Sequence, residues 1–192
     1  ANWFGFNCGE NCLHYLWSGD VDDMLSEVAD HGINVIRMPI STELLISWMN
    51  DTPNPVSSVS AENNPPYYVI NPDFLNADKT MKNSMEIFDI IMQKCKKYGL
   101  KAFIDIHSPH TDNSGHNYNL WYYDASAADA DNMAVGAYSG EQITWDMWKD
   151  SITWLADKYK NDDTLIGYDL KNEPHGKRGY NGTTCPTDIA KW

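Results

Sequence analysis

The chain has 192 residues, of which 42% are hydrophobic and 21% are charged, a composition typical of one globular domain and unlike that of a disordered chain. Its 27 acidic residues outnumber its 14 basic residues, which gives a formal net charge of −13. A surface this negative repels phosphate backbones and anionic lipids, and no apolar run approaches the length of a membrane span. We therefore expect neither nucleic acid nor a membrane as a partner.

Strand-like and helix-like segments alternate along the chain. In chain order, the hydrophobic periodicity predicts strands at 4–7, 33–39, 101–107 and 164–170, and helices at 21–29, 81–95 and 145–159. Asp20 and Asp78 are the expected N-caps of the first two helices, and Gly32 and Gly99 are the expected stops. Pro39 is expected to close the second strand, because it cannot continue a central ladder.

This alternation predicts an α/β fold with a parallel sheet, since each crossover helix covers one face of apolar strands. The segments that follow helices are short, whereas two that follow strands, 41–77 and 108–139, are long and rich in Pro, Asn and Ser. Long loops at the carboxyl ends of parallel strands are typical of a (β/α)8 TIM barrel, which carries its working face there. No Gly-rich phosphate loop follows a strand, which argues against a doubly wound nucleotide-binding sheet.

A complete eightfold barrel needs about 250 residues. We therefore expect residues 1–192 to supply about the first four βα units, the N-terminal half of a barrel domain. Half a barrel leaves sheet edges unpaired, so the complementary C-terminal half is expected in the rest of a longer polypeptide or in a second chain. An intact smaller fold is the alternative.

Polar residues stand where three of the predicted strands end. These are Arg37, His107, Asn172 and Glu173, and the carboxyl ends of parallel strands meet at one rim. A partly desolvated carboxyl beside an amide and a cation suits general acid/base chemistry. The alternative is a structural ion pair, in which Glu173 only satisfies Arg37 or Lys171. The convergence of three strands on one rim favours the catalytic interpretation.

These residues belong to segments that resemble a known family. Asn172-Glu173-Pro174-His175 resembles the Asn-Glu-Pro signature of glycoside hydrolase family 5, a family of retaining glycosidases with a (β/α)8 barrel. Segments 2–6, 14–18, 34–39 and 105–109 resemble the family's first strand and loop and its second and third strands, in family order. The resemblance covers almost the whole chain and is closest to the bacterial-type endo-β-1,4-glucanases.

The resemblance implies a role for each matching residue. Glu173 would be the general acid/base, and Asn172 would bind the sugar 2-hydroxyl beside the reacting carbon. Arg37 would lie near the nucleophile and keep it charged, while His107 would hold substrate hydroxyls or the surroundings of the nucleophile. Trp121 is placed like a tryptophan that stacks on a sugar ring.

His14 and Trp17 are further candidates for the same cleft. The family's nucleophilic glutamate lies on strand seven, beyond these residues, and a retaining glycosidase needs two carboxyl groups about 5–5.5 Å apart. We therefore expect the chain to be inactive without its complementary half. The expected partners are that half and a β-linked polysaccharide, with no cofactor and no catalytic metal. A metal site is the rival interpretation of a histidine-rich loop, with the ligands His107, His110, Asp112 and His116.

Cellulose-like β-1,4-glucan is the expected substrate of this hydrolase, and secretion is the expected localisation. Relatives with the same catalytic residues cut mannan, xyloglucan or mixed-linkage glucan, and a non-catalytic sugar-binding protein is a second alternative. Two sequons in loop-like sequence, at Asn50 and Asn181, together with a first residue other than Met, favour a secreted protein.

Overall fold

The computed structural model describes residues 1–57, 59–63, 67–111, 122–123 and 142–173. Its helices and strands, in chain order, are α1 (Val21–Asp30), β1 (Val35–Ser41), α2 (Thr42–Met49), α3 (Ser84–Lys97), β2 (Lys101–Ser108), α4 (Trp145–Tyr159) and β3 (Leu165–Asp169), with a 3-10 turn at Pro72–Phe74 between α2 and α3. No helix in the described ranges is long and apolar enough to cross a membrane.

The three strands form one parallel sheet in the order β1-β2-β3, as the alternating pattern predicts. The register places Pro39 opposite Asp105, and Asp105 opposite Asp169. The N-terminal segment runs parallel to the other edge of β1, where it makes the isolated bridges Asn2↔Arg37 and Phe6↔Ile40. The prediction of a continuous first strand at 4–7 is wrong, because the backbone leaves the ladder between these two bridges.

Pro39 lies inside β1, although the sequence predicts that it closes the strand. The amides of Arg37 and Ser41 donate to the carbonyls of Ala1 and Phe6, so alternate residues of β1 face the N-terminal segment. Pro39 shares that alternation and falls between the two isolated bridges, where the neighbouring segment makes no ladder contact. The missing N–H is therefore tolerated at this position.

The helix boundaries follow from their caps. Asp20 accepts from two amides at the start of α1, as predicted. The N-cap of α3 is Asn83 rather than Asp78, because Asn83 and Glu86 form a reciprocal capping box. The side chain of Asp78 instead accepts from the amide and hydroxyl of Thr80.

Helix α2 lies in the segment that the sequence predicts to be a long loop. The Ser41 hydroxyl caps it by accepting from the Leu44 amide at 3.1 Å. The helix is buried on several sides, so it lacks the amphipathic stripe by which a surface helix is recognised. Trp48 contacts Phe6 and Phe88 in the core beneath the sheet, with ring centroids 5.9 and 5.0 Å away.

Gly5 has a backbone that only glycine tolerates. Its φ is +141°, and a Cβ at this position would lie 1.9 Å from the carbonyl oxygen of Cys12. Gly32 also has a positive φ, +76°, but nothing lies within 4 Å of its Cβ position. Glycine at position 5 therefore allows the backbone of Cys12 to pack directly against the N-terminal segment, whereas Gly32 only ends α1.

We expect Gly5→Ala to lower the free energy of unfolding by about 3 kcal/mol, because both the backbone conformation and the contact with Cys12 oppose a Cβ. The matched Gly32→Ala change should cost about 1 kcal/mol, because it meets the conformational penalty alone. Urea unfolding of both variants in the full-length protein measures the difference. Equal losses would show that the close approach at Gly5 has no energetic consequence.

Candidate active site

Arg37 joins the three strands on one face of the sheet. Its Nη2 donates to Asn172 Oδ1 at 2.9 Å and lies 2.9 Å from Asp105 Oδ2 and 3.4 Å from Asp169 Oδ2. Its Nη1 donates to Asn2 Oδ1 at 3.1 Å. One guanidinium therefore links the N-terminal segment, β2, β3 and the residues after β3. The sequence predicts Arg37 at the end of its strand, but it is the third residue of β1 and reaches the other strands through its long side chain.

Asp105 and His107 form a buried pair on the same face of β2. His107 Nδ1 and Asp105 Oδ2 are 2.8 Å apart, and Asp105 is fully buried. Since a carboxylate only accepts, we assign the proton to Nδ1, which leaves Nε2 as the acceptor of the neutral imidazole. The ring of Phe4 packs edge-on against His107, with centroids 5.1 Å apart, and so fixes its plane.

Burial raises the pKa of Asp105, while the hydrogen bond from His107 and the charge of Arg37 act in the opposite direction. Asp105 Oδ1 is buried and has no hydrogen-bond partner among the described residues. Arg37 and His107 therefore both contact the same carboxylate oxygen of Asp105, Oδ2. The position of Asp105 inside the fold, on the face of His107, agrees with the alternation of β2.

Asn172 is held by both its backbone and its side chain. Its amide donates to the carbonyl of Ile106 at 2.9 Å, so the chain after β3 stays beside the end of β2. Its Oδ1 accepts from Arg37, and its Nδ2 is buried without a hydrogen-bond partner among the described residues. With Oδ1 occupied by Arg37, the Nδ2 donor is the group of this amide that can bind a ligand oxygen.

Glu173 follows directly at the same edge of the sheet, and its side chain is exposed. Its φ is +46°, a conformation uncommon for a residue with a Cβ. Lys171 Nζ lies 3.5 Å from the Glu173 carbonyl oxygen. A backbone outlier at an exposed carboxyl that follows a doubly anchored amide is typical of a functional site.

His14 and Trp17 lie in the loop before α1. Their ring centroids are 6.3 Å apart, and Tyr15 lies 5.3 Å from Trp17. The His14 amide donates to the carbonyl of Phe4, whose ring contacts His107. The loop is therefore connected to the Asp105–His107 pair through a single residue.

The model of the cellulase family, glycosyl hydrolase family 5, matches residues 1–192. The chain belongs to this family. The resemblance given by the Asn-Glu-Pro segment and by the strand ends is thus confirmed, and the exposed carboxyl at the sheet edge belongs to a cellulase-family chain.

Named relatives agree with this membership. The chain is 58% identical to endoglucanase G of Acetivibrio thermocellus over 193 residues, which cover 100% of the chain and 32% of that protein. It is 41% identical to endoglucanase B of the same organism, over 93% of the chain and 26% of that protein. The chain therefore spans about one third or less of the length of these curated relatives.

Solved structures of the family share the fold. The catalytic domain of the major endoglucanase from Xanthomonas campestris pv. campestris aligns with a TM-score of 0.63 at 24% identity, over 97% of the chain and 44% of that domain. An endocellulase from Pyrococcus horikoshii in complex with cellotetraose aligns with a TM-score of 0.64 at 23% identity, over 95% of the chain and 40% of that structure. The parallel sheet with its helices is thus part of a (β/α)8 TIM barrel, the predicted fold class.

The cellulase-family sheet brings together Arg37, His107 and Asn172, with Glu173 adjacent. Trp121 lies outside the described residues, so its predicted place in the cleft is a prediction only. The sequence did not single out Asn2 or Asp169 as partners of Arg37. The register, with Asp169 opposite Asp105, is the signal that could have found Asp169.

The rival metal site in the loop after β2 gains no support from the residues that are described. His107 is bound to Asp105, and His110 Nδ1 lies 3.8 Å from Glu43 Oε2. The other two predicted ligands, Asp112 and His116, lie outside the described residues. No group of three ligating side chains in the described ranges includes His107 or His110.

Proposed function

We propose that this chain carries the acid/base half of a retaining endo-β-1,4-glucanase. The observation that supports this most is the Arg37-anchored amide of Asn172, with an unsatisfied buried donor, directly before the exposed carboxyl of Glu173 in a cellulase-family chain. The endoglucanase names of the relatives support β-1,4-glucan as the substrate class.

In the proposed reaction, Glu173 protonates the glycosidic oxygen while a nucleophilic carboxylate attacks the anomeric carbon. The same carboxylate then takes a proton from the water that hydrolyses the glycosyl-enzyme. Asn172 Nδ2 donates to the 2-hydroxyl, a contact that strengthens as the oxocarbenium-like transition state forms. Arg37 positions Asn172, and His107 Nε2 accepts from a substrate hydroxyl in the same cleft.

In this proposal the nucleophile lies outside residues 1–192, together with the strands that pair with the edges of this sheet. We infer that residues 1–192 are the N-terminal half of a glycosidase barrel. A retaining mechanism needs the second carboxyl about 5–5.5 Å from Glu173, and the C-terminal half would supply it. His14, Trp17 and Trp121 would line the cleft that the two halves share.

We also propose that the protein is secreted. One relative, 29% identical over 191 residues, is named the major extracellular endoglucanase of Xanthomonas campestris pv. campestris. Insoluble or polymeric β-glucan does not enter cells, so an enzyme of this class meets its substrate outside them.

Assays of the full-length protein on carboxymethylcellulose, mannan, xyloglucan and mixed-linkage glucan test the proposal. We expect the highest kcat/KM on the cellulosic substrate, with viscosity falling faster than reducing ends appear, as internal cleavage requires. Residues 1–192 alone should give no turnover until the C-terminal half is added. Robust turnover by the isolated chain would refute the two-half proposal, and preference for mannan would refute the substrate.

A further inference from the structure

The loop between the bridge at Phe6 and the start of α1 brings three metal-ligating side chains together. Cys8, Glu10 and His14 each present one ligand atom, and these three atoms all lie within 4.8 Å of one another. We call this set the Cys8–Glu10–His14 cluster. None of its members belongs to the Arg37 network. His14 lines the proposed cleft, whereas the proposed hydrolysis gives no role to Cys8 or Glu10.

The backbone holds the cluster in shape without any ligand. The Cys8 amide donates to the Gly5 carbonyl, and the Asn11 amide donates to the Cys8 carbonyl, both at 3.0 Å. The His14 amide is bound to Phe4 at 2.9 Å, and the indole of Trp3 donates to the His14 carbonyl at 2.9 Å. A site whose ligands are held beforehand binds a metal without paying the ordering cost of a flexible loop.

A second segment pins the middle of the loop. The Ser57 amide donates to the Glu10 carbonyl at 3.2 Å, and Asn11 Nδ2 donates to the Pro55 carbonyl at 3.1 Å. The Asn11 backbone has a φ of +54°, so the turn between Glu10 and Cys12 is tightly folded. The three ligand residues therefore lie on a loop that hydrogen bonds to a second segment hold in place.

The side chains are oriented towards one another. His14 Nε2 is a buried atom without a hydrogen bond among the described residues, and it lies 3.6 Å from Glu10 Oε2. Cys8 is buried, and its sulfur lies within 4.8 Å of the ligand atoms of Glu10 and His14. An imidazole nitrogen that is buried beside a carboxylate and a sulfur has the surroundings of a metal ligand.

We propose that the Cys8–Glu10–His14 cluster binds a divalent transition-metal ion of the Zn²⁺ type, with water as the fourth ligand. Sulfur, nitrogen and oxygen at bond lengths of about 2.0–2.3 Å are the donors that Zn²⁺ prefers. In a tetrahedron with such bonds the ligand atoms are about 3.3–3.8 Å apart. The three ligand atoms here lie within 4.8 Å of one another, so shifts of about 1 Å in the side chains would bring them to bonding positions.

Charge also favours the ion. Binding displaces the thiol proton to solvent, so a thiolate, a carboxylate and a neutral imidazole carry two negative charges against the two positive charges of the metal. The net charge of −13 attracts cations to the whole surface. The ion would hold the His14 ring in one orientation beside Trp17, and so fix this wall of the proposed cleft.

Cobalt(II) provides the direct test, because a cysteine thiolate on Co²⁺ gives a charge-transfer band in the near ultraviolet. The full-length protein is reduced, stripped of metal and titrated with Co²⁺ and then with Zn²⁺. We expect one equivalent of Co²⁺ to produce the band, Zn²⁺ to displace it, and Zn²⁺ to raise Tm. Absence of the band in the reduced protein would overturn the proposal.

Matched variants assign the ligands. Cys8→Ser should abolish the band, and Glu10→Gln should weaken Co²⁺ binding at least about tenfold, because loss of even an outer-shell partner of a ligand costs about that much. Cys12→Ser is the control, because Cys12 is a buried free thiol in the same loop whose pKa is raised to about 12 by burial. A band that survives in Cys8→Ser, or that is lost in Cys12→Ser, would contradict the assignment.

Discussion

Glu173→Gln is expected to lower kcat on β-1,4-glucan by about 10³-fold, because the amide cannot deliver a proton to the departing sugar oxygen or take one from water. KM should change little, since glutamine has nearly the same shape and the side chain is exposed. Steady-state rates on carboxymethylcellulose and calorimetric binding of cellotetraose measure the two effects separately. An unchanged kcat would refute the acid/base role of Glu173.

Two controls separate loss of proton transfer from loss of structure. Glu86→Gln makes the same chemical change at an exposed helix cap and should leave kcat unaltered. With an aryl cellobioside whose leaving group needs no protonation, the first step survives in Glu173→Gln, and added azide should attack the glycosyl-enzyme and restore turnover. Failure of azide to accelerate the variant would place Glu173 in another role.

The sequence alone predicts the parts of this site that depend on strand order. His107 lies near the end of β2 and Asn172 follows β3. These strands pair in parallel, and parallel strands bring their carboxyl ends together. The sequence could not predict that Arg37 stands in the middle of β1, because strand tilt and side-chain reach decide which atoms meet. The same limit applies to Asn2, whose side chain contacts Arg37 only because the N-terminal segment adds to the edge of the sheet.

Misplaced boundaries have a similar origin. Asp78 and Asn83 are both acceptable N-caps by residue type, and the Glu three residues after Asn83 decides between them. The sequence pattern does not reveal α2, because this helix is buried on several sides and has no polar face to mark its period. The cap of α3 is thus decided by a local pair of side chains, whereas α2 is decided by its tertiary contacts.

Arg37→Met is expected to lower the free energy of unfolding by about 3 kcal/mol, the lower end of the cost of breaking a buried ion pair, because Arg37 is partly exposed whereas Asp105 is fully buried. Asp105 is fully buried and would lose the cation 2.9 Å from its Oδ2, and Asn172 Oδ1 would lose its donor. We also expect kcat to fall at least about tenfold, because Asn172 is no longer held beside Glu173. Arg37→Lys should lie between the two proteins, since lysine keeps the charge but cannot reach several acceptors at once.

The pH dependence of this loss distinguishes an electrostatic role of Arg37 from a packing role. Burial raises the pKa of Asp105, so its contribution to stability is present below the ordinary value of 3.8 and is lost as pH rises through the folded-state pKa. Removing the Arg37 charge raises that pKa further, because the charge opposes the effect of burial. The stability difference between Arg37→Met and the parent should therefore be larger at about pH 7 than at about pH 4.5, where more of Asp105 is protonated. Urea unfolding at the two pH values measures it, and a loss that is equal at both would show that Arg37 stabilises the sheet by packing alone.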